Sequence, residues 1–220
     1  ASVSLVGAGA LGGPCAMYLA AAGIGRIELW DDDVVERSNL QRQVQFGEGD
    51  LGKFKVEILA ARLSADHPGT HVSSRRKRWQ ASDALAGGIL VDASDNFPTR
   101  YALNETAHRS ARPMVHGAAA GWSGQASVFA SGCREGAPCY RCWVPQTPPE
   151  AEACDEVGVV GPITGIVSTL MALEVIKLVT GAGTPLIGHL VLVDGLGGTP
   201  RKVGLRRDAS CPVCGTERAV

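Results

Sequence analysis

Ser2-Val3-Ser4-Leu5-Val6-Gly7-Ala8-Gly9-Ala10-Leu11-Gly12 opens the chain, and its reading decides the fold. A strand-like stretch runs into a G-x-G-x-x-G loop, and the loop leads into an Ala-rich helix. The next strand, Arg26 to Trp30, ends on Asp31, nineteen residues after Gly12. Glycines let the backbone approach a nucleotide, and an acid at that spacing can take ribose hydroxyls. The pattern predicts a nucleotide site and leaves the nucleotide open. Arg37-Ser38-Asn39-Leu40-Gln41-Arg42-Gln43 narrows the choice. Asn39, Gln41 and Arg42 add amide and guanidinium donors, and arginine takes phosphate through two parallel hydrogen bonds, so the run favours a polyphosphate over a hydride carrier.

Beyond this first unit the apolar spacing predicts a helix over Lys53 to Leu63 and a short strand over His71 to Ser74. The basic quartet Arg75 to Arg78 reads as solvated surface. Gly88 to Asp92 reads as a buried strand whose carboxyl end, Ser94-Asp95-Asn96, leads through Pro98 into a helix reaching Ser110. Ligands of open α/β sheets gather at that edge, which sets Asp95 and Asn96 as functional candidates beside the plainer reading of a helix cap. Strands over Pro113 to Gly117 and Gly124 to Ala130, a loop over Trp143 to Glu156, a buried helix over Ile163 to Leu178, and a strand pair at His189 to Asp194 and Arg201 to Leu205 complete the expectation. The fold class is α/β: a Rossmann-like, doubly wound, mostly parallel sheet extended by C-terminal strands. One domain over residues 1–220 is expected, with a nucleotide-binding half to about residue 130.

At 45% hydrophobic and 20% charged residues with a formal net charge of −1, nothing points to nucleic acid or a membrane surface. The long uncharged stretches are broken by glycine, proline and hydroxyl residues and read as core, with no membrane span implied. The first strand begins at once, so no signal peptide is expected. Four of the seven cysteines form two C-x-x-C pairs, Cys139/Cys142 and Cys211/Cys214. In a chain of cytoplasmic character, two such knuckles favour a tetrahedral, structural zinc over redox motifs or unconnected core thiols. Cys15 reads as a small core residue, and the five histidines are scattered without clustering.

Taken together, GAGALGG, the acid closing the second strand, SNLQRQ, GKFKVE, SDN, CYRC, a cysteine before GVVGP, and CPVCG resemble the ThiF/MoeB/HesA family over nearly the whole chain. These are bacterial relatives of ubiquitin-activating enzymes that adenylate the C-terminal Gly-Gly of a small sulfur-carrier protein. The thiamine-pathway branch is the nearer likeness. The resemblance implies ATP on Gly7, Gly9, Ala10 and Gly12, ribose on Asp31, and phosphates along Ser38, Asn39, Gln41 and Arg42. It makes Lys55 a phosphate-neutralising cation and Asp95, with Asn96 beside it, the acid that holds magnesium. Bringing a carboxylate to an α-phosphate unites two anions, so such a site must supply cations and alignment, and it needs no nucleophile of its own.

Cys154 corresponds to the family's second-step cysteine, which in some members carries the carrier as a thioester or acyl persulfide. Asp155 and Glu156 follow it, and adjacent anions oppose thiolate formation. The resemblance further implies a homodimer, an N-terminal arginine reaching the partner subunit's ATP for which this chain offers no position, and a separate protein as sulfur donor. The rival readings are an NAD-dependent dehydrogenase, which leaves Arg42, Lys55 and both knuckles unexplained, and a catalytically idle scaffold that docks a carrier.

Overall fold

Val3, Leu5, Ile27, Leu29, Ile89, Val91 and Val115 occupy odd positions of short strands, and in the computed structural model of the chain they belong to one buried core. Val6, Trp30, Leu90 and Met114 occupy even positions and belong to a second core. Successive side chains of a strand point to opposite faces, so one sheet separates the two. The structure describes residues 1–148 and 158–215. Its strands are β1 (Ser2–Val6), β2 (Arg26–Trp30), β3 (His71–Arg75), β4 (Ile89–Asp92), β5 (Met114–Ala120), β6 (Ser123–Phe129), β7 (His189–Asp194) and β8 (Arg201–Gly204). They form one eight-stranded sheet in the order β3-β2-β1-β4-β5-β6-β7-β8. The pairings from β3 to β5 are parallel and those from β5 to β8 antiparallel. This is the expected doubly wound sheet with its C-terminal extension, and the strand order reverses between β1 and β4.

Helices α1 (Gly12–Ala21), α2 (Lys55–Asp66) and α5 (Gly161–Thr180) contribute to the odd-side core, and α3 (Phe97–Arg109) with α4 (Tyr140–Trp143) to the even-side one. By length and composition α5 could cross a membrane. Its Ile163, Val167, Met171 and Val175 recur at helical spacing and are buried, and the helix packs against β5, β6 and α1, so it is a core helix of this sheet.

The expected elements are present, each end within three residues of its expected place. Strand β5 runs three residues further than anticipated because Ala118 to Ala120 pair with Ser123 to Gln125 in a tight hairpin. The one-turn α4 was not anticipated; its four residues, which include Cys142, carry too short a pattern to read. The basic quartet is exposed, and each member has an acidic partner: Arg75 with Glu28, Arg76 with Glu57, Lys77 with Asp83 and Arg78 with Asp32.

Two buried polar pairs join neighbouring strands among the described residues: Ser4 of β1 donates to Glu28 of β2 at 2.7 Å, and a second pair lies between β4 and β5. Asp92 and His116 are register partners of β4 and β5, both fully buried, with His116 Nδ1 2.7 Å from Asp92 Oδ2. Burial holds the imidazole below the ordinary histidine range despite the facing carboxylate. Burial opposes the charge of Asp92 as well, but hydrogen bonds from His116 and Ser94 and the charge of Arg100 keep its carboxyl below the usual range. The neutral ring therefore donates from Nδ1 to an ionised carboxylate. Both groups take up protons more readily in the unfolded chain, so their contribution is present at neutral pH and lost on acidification, first below about pH 6.5 and again below about pH 4. Thermal melts across this range should show the melting temperature falling from about pH 6.5 downward. A His116→Asn variant should be flatter between pH 6.5 and 5, and an unchanged slope would contradict the assignment.

Candidate active site

The turn from β1 into α1 is built on backbone proximity. Gly7 has φ +96°, and a Cβ there would stand 2.5 Å from Ala93 O on the neighbouring strand end. A Cβ on Gly12 would stand 1.7 Å from Gly7 O. Neither position admits a side chain, so the loop packs closely against the end of β4. The Ala8 amide donates to Asp31 Oδ2 at 2.6 Å, and the Asp33 amide to Asp31 Oδ1 at 2.8 Å. Burial raises the Asp31 carboxyl above its ordinary range against these hydrogen bonds.

A crevice of about 1170 Å³ opens at the carboxyl ends of the strands, next to the reversal point. Gly7, Gly9, Ala10, Asp31, Arg42, Lys55, Asp95 and Asn96 all line it. Three separate segments thus deliver the predicted cations and acid to one wall. Lys55 opens α2, is 4% exposed, and places Nζ 2.7 Å from Asp33 Oδ2. Arg42 donates from Nη1 to Ser38 O at 3.0 Å. Asp95 is exposed to the crevice, and Asn96 caps α3 by accepting from the Thr99 amide at 3.0 Å while its Nδ2 donates to Asp95 Oδ1 at 3.2 Å. Asn96 therefore performs the capping role weighed in the sequence as well as lining the site. Asp31, Asp32 and Asp33 gather carboxylate oxygens within 4.8 Å of one another, and Arg78 and Lys55 neutralise the outer two.

Gly12 packs beneath the loop and does not reach the crevice wall, and the structure does not bring Ser38, Asn39 or Gln41 onto it. Asn39 is buried, and its carbonyl accepts from the amides of Arg42 and Gln43 at 3.0 and 2.9 Å, so it shapes the turn that aims those two residues. Ser38 is exposed and hydrogen bonds to Glu36. Gln41 lines a separate groove between α1 and α5. Cys154 lies outside the described residues.

Two glutamines went unread in the sequence. Gln43 is 4% exposed and lines the crevice beside Gly9. Gln45 donates from Nε2 to Ala8 O and Gly9 O at 3.2 and 2.9 Å, clamping the glycine loop from beneath. Their proximity to a loop 36 residues earlier has no local signature, although two further amides in a run already rich in them were a visible hint.

The four knuckle cysteines converge as expected. Their Sγ atoms lie within 4.8 Å of one another, with Cys139 to Cys211 at 3.5 Å, Cys139 to Cys142 at 4.0 Å and Cys142 to Cys214 at 3.3 Å. Thiolates around a tetrahedral metal at about 2.3 Å stand roughly 3.8 Å apart, so this donor set fits a four-thiolate metal site. The Asp208 amide donates to Cys142 Sγ at 3.4 Å. The hydrogen bond shared with Cys139 and that from the Asp208 amide hold the Cys142 thiol below its ordinary range.

The ThiF family profile matches residues 1–213. A sulfur carrier protein adenylyltransferase of Thermus thermophilus is 44% identical over 99% of this chain and 83% of its own length. The sulfur carrier protein ThiS adenylyltransferase of Escherichia coli is 38% identical over 99% of this chain and 87% of its own length. Among solved structures, E. coli MccB with MccA-N7isoASN superposes with a TM-score of 0.87 over 98% of this chain and 67% of that one, and at 23% identity this speaks for the fold alone. A profile spanning nearly the whole chain and relatives this close carry one conclusion: the chain belongs to the ThiF family.

Proposed function

We propose that the protein uses ATP to adenylate the C-terminal Gly-Gly carboxylate of a small ubiquitin-like sulfur-carrier protein, releasing pyrophosphate. The observation that carries this is the convergence of the glycine loop, Arg42, Lys55 and Asp95 on a single crevice. Relatives named as adenylyltransferases of sulfur carriers support it. The crevice exceeds the roughly 300–1,000 Å³ of most small-ligand pockets, which leaves room for a peptide tail beside a nucleotide. Ala118, Ala119, Ala120, Ser123 and Gly124 form part of its wall, and such small side chains suit an extended Gly-Gly segment.

In this reading the loop amides and Asp31 seat the nucleotide. Arg42 binds phosphate, and Lys55 exchanges Asp33 for phosphate as the carboxylate approaches, which lowers the repulsion between the two anions. Asp95, whose Oδ2 has no partner among the described residues, would hold magnesium with Asn96 beside it. Bound magnesium would neutralise charge on the departing pyrophosphate. The carrier carboxylate is itself the nucleophile, and the residues need only align it. Cys154 would act afterwards, in sulfur transfer with a separate donor protein. Zinc in the four-thiolate cluster would tie residues 139–142 to 211–214 as a structural staple. Exposed Met17 and Tyr18 on α1 with Ile166 and Leu173 on α5, beside Val44 and an apolar groove of about 660 Å³, suit a homodimer interface. Free thiols and use of ATP suit the reducing cytoplasm.

Exchange of labelled pyrophosphate into ATP should require a Gly-Gly-ended carrier and should fall about 100-fold or more in Asp95→Ala. Cys154→Ala should leave exchange intact and impair only later sulfur transfer; exchange without carrier dependence would refute the proposal. Metal analysis should find one zinc per chain, lost in Cys211→Ser with a drop of about 10 °C in melting temperature. Light scattering should report a dimer that Ile166→Glu converts to monomer.

A further inference from the structure

The proposed chemistry does not use Asp92 or His116, yet both adjoin the acid that it needs. Asp92 ends β4 just ahead of Ala93-Ser94-Asp95. Its Oδ1 accepts from the Ser94 amide at 3.1 Å and from Ser94 Oγ at 2.6 Å, and its Oδ2 accepts from His116 Nδ1 at 2.7 Å. Beyond the turn, Ser94 O accepts from Arg100 Nε and Nη2 at 3.4 and 3.1 Å. The segment that presents Asp95 is therefore tied to the core through Ser94 on one side and to α3 on the other.

His116 is the deepest member of this chain of contacts. Its ring centroid lies 4.9 Å from Tyr140, 6.1 Å from Phe129 and 6.3 Å from Trp143, and Nε2 has no partner among the described residues. Aromatic walls and one hydrogen bond set its orientation. A fully buried carboxylate keeps its charge and a single orientation only while donors satisfy it. Loss of the Nδ1 donor would leave Asp92 to reorient or take up a proton, and Ser94 would lose its fixed acceptor.

We propose that His116, acting through Asp92 and Ser94, is a positioning residue for Asp95. It sets where the Asp95 carboxylate stands in the crevice, and hence the affinity of the site for the divalent cation. This rests on the reading of Asp95 as the magnesium-holding acid. His116→Leu keeps apolar bulk inside the aromatic walls and removes the donor. His116→Asn offers an amide N–H close to the place of Nδ1–H.

The test is magnesium titration of carrier-dependent pyrophosphate exchange, with ATP saturation measured in parallel and with the affinity of the ATP-bound protein for manganese read directly by electron paramagnetic resonance, where the same shifts are expected. His116→Leu should raise the magnesium half-saturation about 10-fold, as loss of an indirect support for a metal ligand does, while the KM for ATP changes less than about two-fold. His116→Asn should stay within about two-fold of the parent, and Ser94→Ala should shift the half-saturation the same way by about three-fold. If His116→Leu does not fold, the Ser94→Ala shift decides. Unchanged half-saturation in His116→Leu and Ser94→Ala, or an equal shift in His116→Asn and His116→Leu, would overturn the positioning role. Asp95→Ala in the same series keeps the two ideas apart. Parent-like magnesium dependence there would remove the reading of Asp95, whereas its loss alongside unmoved His116 and Ser94 variants would remove only the positioning role.

Discussion

The site depends on the absence of side chains where β1 turns into α1. Gly7 lies against Ala93 and Gly12 against Gly7, at separations that a single methyl group would abolish. Because the turn is that tight, α1 starts at the sheet edge, between the ends of β1 and β4 where the strand order reverses. The crevice is the space left outside that reversal. Gln45 reinforces the arrangement by holding the carbonyls of Ala8 and Gly9.

Around this turn, electrostatics is arranged as a set of held charges. Lys55 is buried and paired with Asp33, Arg42 is bonded to a backbone carbonyl, and Asp92 is ionised within the core by its donors. Burying an ionic group is costly unless it is paired, and Lys55 and Asp92 are each paired with a group from a different segment. The loop after β2 is thereby tied to the start of α2, and the end of β4 to β5. The zinc-type cluster extends the same logic to the second half of the chain. The residues flanking its first two cysteines, Tyr140 and Trp143, are the aromatic rings packed about His116.

Much of the fold was legible because its signals are local. The short apolar runs of β1 and β4, the glycine loop, the Asn96-Phe97-Pro98 start of α3 and the apolar period of α5 each arise within a few residues of one another. The family likeness was legible because several such motifs fall in a fixed order. That likeness also decides against the dehydrogenase reading, since the relatives are named as adenylyltransferases. Where the reading was imprecise, the cause was a contact across long separation. Gln45 was passed over because its partners lie far back in the chain.

By itself the sequence determined the strand and helix order, the doubly wound class, the cysteine pairing into knuckles, and the residue types of a phosphate site. These follow from periodicity, turn chemistry and motif spacing, which act along the chain. Only the tertiary structure decided which members of the polar run face the crevice, that Lys55 meets Asp33, and that Asp92 and His116 stand opposite each other in the core. Strand register pairs residues far apart in sequence, and a shift of one residue would turn each side chain to the other face, so no local pattern could have specified those neighbours.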